Sequence, residues 1–219
     1  MVMSIESLYP FLHSGSADLD SLLADVARST AEKVDEIGRL RREVVAADDA
    51  RMAACATAMA ERFERGGRLL AFGNGGSSTD AAAVAALCVD PGPAWRPLPA
   101  LALAADVATL TALANDVGFE NVFARPVAAA GRPDDIALAL STSGGSANVL
   151  RGLAVAHERG LLTVGLAGYS GGSMAEAAAR GEIDHLFVMP SASVHRIQEA
   201  QTTTYHVLWE LVQRALGRP

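Results

Sequence analysis

The sequence predicts an α/β protein with a doubly wound, five-stranded parallel sheet and a helical extension at the N-terminus. Five short apolar runs alternate with helical patterns after residue 66, and turns rich in glycine and serine follow three of those runs. Residues 16–65 show helical periodicity without any strand pattern. We therefore divide the chain into a helical extension, residues 1–65, and an α/β domain, residues 66–219, which together form one structural unit.

Apolar residues of the extension recur at helical spacing in two stretches. The first stretch includes Leu19, Leu22, Leu23 and Val26, and the second covers residues 46–65. We expect the apolar face of this arm to pack either on the α/β domain or on a partner subunit, because an amphipathic helix buries its apolar stripe.

Short apolar runs typical of buried parallel strands begin after Gly66 and Gly67. Helices are predicted between the strands, and a long terminal helix is predicted over residues 193–216. The helical region 107–130 is broken near residues 115–118. Ligands are expected above the carboxyl ends of the strands, as in other doubly wound sheets. The predicted strands are 68–72, 97–104, 136–140, 161–167 and 185–189.

Composition and charge exclude several classes of partner. The formal net charge is −7 without any block of like charge, which disfavours a nucleic-acid surface. Cys55 and Cys88 do not form a metal-type cluster, and two isolated cysteines fit a reducing compartment. The first ten residues lack a basic segment followed by an apolar one, and no apolar run is long enough for a membrane span. We expect a cytoplasmic protein with neither nucleic acid nor a membrane as a partner.

The loop S-T-S-G-G-S lies between the third predicted strand and a helix that begins near Ala147. Its hydroxyls belong to Ser141, Thr142, Ser143 and Ser146, and its N–H groups lie at the positive end of the helix dipole. This arrangement predicts an anion site, most simply for a phosphate monoester. The loop holds no Lys or Arg, and the pattern G-x-x-x-x-G-K-[ST] is absent, so a nucleoside triphosphate is not expected. The alternative is a serine-rich turn with helix caps.

Two further glycine-rich loops admit more than one interpretation. The segment G-N-G-G-S at 73–77 follows a strand and opens a helix, but Ser78 stands where a dinucleotide fingerprint requires its third glycine. The segment G-Y-S-G-G at 168–172 matches a nucleophile elbow, and Asp184 and His195 follow in the order of a hydrolase triad. A tight turn between strand and helix is the simpler interpretation of the second segment.

The terminal helix carries a line of polar side chains. Gln198, Thr202 and His206 stand at positions i, i+4 and i+8 and share one side of the helix. His206 is a candidate general acid or base, although a histidine on a helix is often structural. Asn115 and Asp116 lie where a helix breaks, and they serve either the turn itself or contact with a polyhydroxyl ligand.

Together these segments resemble the SIS (sugar isomerase) domain family and, within it, the phosphoheptose isomerase group. The resemblance includes A-N-D-V-G-F-E at 114–120 and R-I-Q-E at 196–199, and it covers nearly the whole chain. It implies a flavodoxin-like SIS domain, and a homo-oligomer, tetramer or dimer, that binds phosphorylated sugars at subunit interfaces. It further implies conversion of sedoheptulose 7-phosphate to a heptose 7-phosphate through an enediol.

The resemblance also implies roles for individual residues. His206 is the catalytic candidate, and the substrate-binding candidates fall into two groups. The phosphate is expected at Ser141, Thr142, Ser143 and Ser146, and the sugar at Asn74, Gly75, Gly76, Ser77, Asn115, Asp116 and Gln198.

This chain departs from the family pattern at the catalytic pair. The family places a His and a Glu one turn apart after G-N-G-G-S, and both can ligate zinc together with the Gln of R-I-Q-E and a later His. The matching positions here are Ala83 and Leu87, which neither move a proton nor bind a metal, so no zinc and no other cofactor is expected. The Arg and the Asp that the family places nearby are replaced by Pro91 and His195. A substitute base is left open among Asp80, Glu120, His195 and Glu199.

Two hypotheses about function follow. The first is an aldose–ketose isomerase acting on a phosphorylated sugar such as sedoheptulose 7-phosphate, and the presence of Gln198 and His206 favours it. The second is a non-catalytic sugar-phosphate sensor or protein-binding adaptor, which Ala83 and Leu87 favour.

Overall fold

The computed structural model describes residues 19–217, so residues 1–18 of the predicted extension lie outside the described part. Within this range the chain forms, in order, α1 (Leu19–Glu64), β1 (Leu69–Gly73), α2 (Gly76–Val89), β2 (Ala100–Ala102), α3 (Val107–Asp116), a 3-10 turn (Phe119–Asn121), α4 (Ala124–Ala130), β3 (Ile136–Ser141), α5 (Ala147–Glu158), β4 (Leu162–Gly168), α6 (Gly172–Ala179), β5 (His185–Met189) and α7 (Val194–Ala215).

The five strands form one parallel sheet in the order β2-β1-β3-β4-β5. This confirms the predicted α/β class and the doubly wound sheet. The chain runs outward from β1 to β2 and then returns to the other side of β1 with β3. The winding therefore reverses between β1 and β3, and in such sheets ligands bind at the carboxyl ends beside this switch point.

Buried side chains cover both faces of the sheet. Leu70 and Phe72 of β1 face one side, where the Phe72 ring lies 5.2 Å from that of Phe123. Leu69 and Leu138 face the other side and line a cavity of about 10 Å³ with residues of α2 and α7. Successive strand residues point to opposite faces, and burial of both explains why the strands appear in the sequence as continuous apolar runs.

Two elements differ in length from the prediction. Strand β2 has three residues instead of the eight predicted, and it begins only at Ala100 because Pro97 and Pro99 have no N–H to donate. The two helical stretches predicted before residue 65 form the single 46-residue helix α1, which contains no proline.

Backbone contacts divide the chain into two compact units, residues up to Arg39 and residues from Leu40 onward. In the described part of the first unit, Leu22, Leu23 and Val26 are each more than half exposed. The second unit contains the sheet and the candidate site.

Carboxylates at the amino edge of the sheet are used structurally. Asp135, just before β3, accepts hydrogen bonds from the backbone N–H groups of Arg68 and Arg132, at 3.0 and 3.1 Å. Asp184, just before β5, accepts from the backbone and the hydroxyl of Thr163, both at 2.8 Å. These side chains fix the strand starts.

No helix among residues 19–217 combines the length and the apolar character that crossing a membrane requires.

Candidate active site

Three serine hydroxyls converge in the loop that follows β3, residues 141–146, which we call the serine loop. The Ser141 Oγ lies 3.2 Å from the Oγ of Ser146 and 3.5 Å from the Oγ of Ser143, and the Gly145 N–H donates to the Ser143 Oγ at 3.2 Å. Ser141 is buried, whereas Ser143 is exposed and Thr142 is partly exposed. The hydroxyls therefore form a small polar pocket that is open to solvent on one side.

The backbone adds donors to the same place. Ser146 is the N-cap residue of α5, but its side chain makes no capping hydrogen bond. Within residues 19–217 the N–H groups of Ser146 and Ala147 have no protein acceptor. N–H donors at a helix N-terminus attract an anion. Since the loop contains no Lys or Arg, this attraction comes from neutral donors alone.

The glycines of the loop after β4 hold the serine loop in place. Gly144 has a φ of +64°, and a methyl group on its Cα would lie 2.0 Å from the Gly171 carbonyl oxygen. A methyl group on Gly172 would lie 2.4 Å from the Ser143 carbonyl oxygen. The Met174 N–H donates to the Gly144 carbonyl at 2.9 Å. The G-Y-S-G-G segment therefore supports the serine loop. The backbones of the two loops are in direct contact, and side chains at Gly144 or Gly172 would push them apart.

The fold excludes the serine-hydrolase alternative. Ser170 follows the carboxyl end of β4, whereas Asp184 lies at the amino edge of the sheet and is bound to Thr163. The intervening strand has seven residues, which corresponds to about 20 Å. Ser170 and Asp184 therefore cannot belong to one triad.

The loop after β1 lies against helix α7. A methyl group on Gly76 would lie 2.0 Å from the Gln198 Nε2, so the Gln198 carboxamide rests directly on this glycine. Gly75 is exposed with a φ of +53°, whereas Ser77 is buried, and its N–H donates to the Asn74 carbonyl at 3.0 Å. Of the predicted residues in this loop, Asn74, Gly75 and Gly76 reach the surface and Ser77 lies beneath it.

A pair of amides joins the β1 loop to the serine loop. The Asn74 Nδ2 donates to the Asn148 Oδ1, and the Asn148 Nδ2 donates to the Asn74 Oδ1, both at 2.8 Å. Asn148 is 3% exposed, and its Oδ1 also accepts from the Val149 N–H at 3.0 Å. Asn148 is not among the site residues predicted from the sequence. The sequence feature that could have indicated Asn148 is an amide side chain in the first turn of the helix that follows a hydroxyl-rich loop.

Helix α7 presents the polar side chains that its spacing predicts. The Thr202 Oγ1 donates to the Gln198 carbonyl at 3.0 Å, and the His206 Nδ1 lies 2.8 Å from the Thr202 carbonyl. A carbonyl only accepts, so this contact assigns a ring proton to Nδ1 and leaves Nε2 as the nitrogen that can exchange a proton with a ligand. The exposed His206 ring stacks on Tyr205 with centroids 4.8 Å apart.

Asp80 of α2 completes this polar face. Its Oδ1 lies 3.2 Å from the Thr202 Oγ1, whose single proton is shared between this carboxylate and the Gln198 carbonyl. Partial burial raises the pKa of the Asp80 carboxyl above its usual value, while hydrogen bonds from Thr202 and Tyr205 act in the opposite direction.

Ala83 and Leu87, which replace the family's catalytic pair, lie on the same helix as Asp80. Ala83 is exposed and Leu87 is partly exposed, and neither has a lone pair for a proton or a metal. Gln198 and His206 alone do not make a zinc site, which needs three or four protein ligands. The donor set therefore does not fit zinc, and we derive no step through a metal.

Asn115 and Asp116 are the last two residues of α3. Both are exposed, and the Asn115 Nδ2 donates to the Asp116 Oδ1 at 2.8 Å. Within residues 19–217 neither side chain has a hydrogen bond to the serine loop or to α7. Their contact with a sugar stays a prediction.

Comparison with known proteins gives consistent matches. The family model described as SIS domain matches residues 34–168. The phosphoheptose isomerase of Roseiflexus sp. (strain RS-1) is 41% identical over 187 residues, which cover 84% of this chain and 92% of the relative. The phosphoheptose isomerase of Aquifex aeolicus is 45% identical over 156 residues, which cover 71% of this chain and 79% of the relative. The solved structure of phosphoheptose isomerase from Neisseria gonorrhoeae aligns with a TM-score of 0.79 at 32% identity, covering 86% of this chain and 99% of that one.

Proposed function

We propose that this chain, which belongs to the SIS domain family and within it to the phosphoheptose isomerase family, interconverts the ketose and aldose forms of a phosphorylated sugar. The expected substrate is sedoheptulose 7-phosphate, the sugar that the resemblance to the phosphoheptose isomerase group implies. The similarity to phosphoheptose isomerases supports the reaction, and one observation carries the phosphate site: the hydroxyls of Ser143 and Ser146 lie within 3.5 Å of the Ser141 hydroxyl at the N-terminus of α5.

The phosphate is proposed to bind in the serine loop. The hydroxyls of Thr142 and the three serines, together with the N–H groups of Ser146 and Ala147, donate to its oxygens. Burial of Ser141 and close backbone packing of Gly144 keep these donors in place without a ligand. Preorganised neutral donors suit a phosphate monoester, whose binding does not need a formal positive charge at a helix N-terminus.

The sugar is proposed to extend from the phosphate toward α7. Asn74, Gly75, Gly76 and Gln198 line that direction, because Gln198 lies on Gly76 and Asn74 is hydrogen-bonded to Asn148 at the start of α5. The His206 Nε2 is then the group that exchanges a proton with the sugar oxygens, since Nδ1 is held by its own helix.

A second candidate function is sugar-phosphate binding without catalysis, as a sensor or protein-binding adaptor. Ala83 and Leu87 support it, because neither side chain replaces a general acid or base, and loss of such a group typically lowers a rate by about 10²–10⁴. This candidate keeps the serine loop and gives His206 no catalytic role.

Proton NMR of sedoheptulose 7-phosphate with the purified protein in D₂O separates the two. Isomerisation predicts deuterium beside the carbonyl and new anomeric signals, both lost in His206→Gln. Line broadening without exchange supports the sensor. Calorimetry with Ser143→Ala tests the phosphate site, because the variant is expected to bind the sugar phosphate more weakly. Unchanged affinity of Ser143→Ala would remove the serine loop from the site.

We also propose that the chain acts as a homo-oligomer, a tetramer or a dimer, in the cytoplasm. The exposed apolar side chains of Leu22, Leu23, Val26 and Val34 support self-association, and free Cys55 and Cys88 fit a reducing compartment. Light scattering after size-exclusion chromatography measures the subunit number, and a monomer at micromolar concentration would contradict the proposal.

A further inference from the structure

The structure separates the four side chains that the sequence leaves open as the base. Glu199 is in an ion pair with Arg196, and exposed Glu120 accepts from the Asn121 Nδ2 at 3.3 Å. His195 is exposed in the first turn of α7. Within residues 19–217, neither Glu120 nor Glu199 has a side-chain hydrogen bond to Thr202, and His195 lies on α7 itself, about two turns before Thr202.

Asp80 differs because it lies opposite the middle of that polar face. It follows Gly76 by four residues on α2, and Gly76 carries the Gln198 carboxamide. Its carboxylate accepts from Thr202, which stands one turn from Gln198 and one turn from His206. Along the axis of α7, Asp80 therefore lies between the Gln198 carboxamide and the His206 imidazole.

The surroundings of Asp80 suit proton transfer. The carboxyl is partly buried, and its pKa is raised mainly because burial disfavours the charged form. The contact with the Thr202 Oγ1 at 3.2 Å restricts the orientation of the carboxylate. A fixed carboxylate that binds a proton more readily than an exposed one is a better general base near neutral pH.

We propose that Asp80 is the general base of this site, in place of the acidic side chain that position 87 lacks. The inference rests on the proposed isomerase function. Asp80 takes a proton from C1 of the ketose, the C1–H electron pair forms the C1=C2 bond, and the carbonyl O2 receives a proton from Nε2 of protonated His206. In the second half, Nε2 takes the O1 proton as C1=O1 forms, and Asp80 returns its proton to C2. No co-reactant is consumed.

The test compares Asp80→Asn with Asp90→Asn, which changes an exposed acid at the far end of α2. For each protein we would measure deuterium entry at C1 of sedoheptulose 7-phosphate by NMR, affinity by calorimetry, and the midpoint of thermal unfolding. Asp80→Asn is expected to lower exchange by about 10²–10⁴ with affinity within about threefold of wild type. Asp90→Asn is expected to match wild type in deuterium exchange and in affinity.

The outcomes are distinct. Exchange by Asp80→Asn within tenfold of an active wild type would overturn the role of Asp80 and leave the isomerase intact. A wild type that binds the sugar phosphate but exchanges no proton would overturn both. If Asp80→Asn does not fold, Asp80→Glu serves instead, because it keeps a carboxylate at a shifted position. That variant is expected to exchange slowly but measurably, and full wild-type exchange by it would contradict a positioned base.

Discussion

Substitution of Gly144 by alanine tests whether backbone contact between two loops holds the serine loop. The added methyl group would lie 2.0 Å from the Gly171 carbonyl oxygen, a backbone atom that cannot rotate away, and the φ of +64° is left-handed. A left-handed backbone costs a non-glycine residue about 1–2 kcal/mol, and overpacking costs about 1–3 kcal/mol. We therefore expect Gly144→Ala to lower the free energy of unfolding by about 2–5 kcal/mol.

Gly145→Ala is the matched control, because the neighbouring glycine has open space. A methyl group there would meet only the Ser143 Oγ at 3.8 Å, and its φ lies outside the left-handed region. Urea unfolding measures both variants against wild type, and calorimetry measures their affinity for the sugar phosphate. Gly144→Ala should also bind more weakly, since its loop must shift. Equal unfolding midpoints for the two variants would refute the proposal that backbone contact between Gly144 and Gly171 holds the serine loop.

Three further predictions concern buried groups. Asn148→Ala leaves the Asn74 amide without its partner and should lower the free energy of unfolding by about 1–3 kcal/mol, measured by urea unfolding. An unchanged free energy of unfolding would contradict a stabilising role for this amide pair. Burial raises the pKa of Cys55 and Cys88 to about 12, so a thiol reagent at pH 8 should label neither in the folded protein, and rapid labelling would show that a thiol is accessible. The raised pKa of Asp80 means that the folded state holds its proton more tightly than the unfolded chain, so its ionisation lowers stability as pH rises through both pKa values. Asp80→Asn should therefore unfold at higher temperature than wild type at pH 7 and at about the same temperature at pH 3; the reverse order would contradict this sign.

The fold could be predicted from the sequence because its strands are buried on both faces. A run such as Ile136–Ser141 is fully buried, and the polar loop after it marks the strand end without any long-range information. Strand β2 was predicted too long, because Pro97 and Pro99 lie in an apolar segment but have no N–H to donate at the edge of the sheet.

The candidate site could be predicted only where its residues are close in sequence or share a helix face. The serine loop is one continuous segment, and the spacing of Gln198 and His206 places them on one side of α7. The amide pair of Asn74 and Asn148 joins residues 74 positions apart, and no local pattern indicates such a contact. The choice of Asp80 likewise depends on the packing of α2 against α7.

A crystal structure of the protein soaked with sedoheptulose 7-phosphate tests the proposed site most directly. We expect the phosphate oxygens within hydrogen-bond distance of the Ser141, Ser143 and Ser146 hydroxyls, and the sugar carbonyl carbon between Asp80 and His206. A phosphate bound elsewhere, with the serine loop empty, would contradict the assignment of this site.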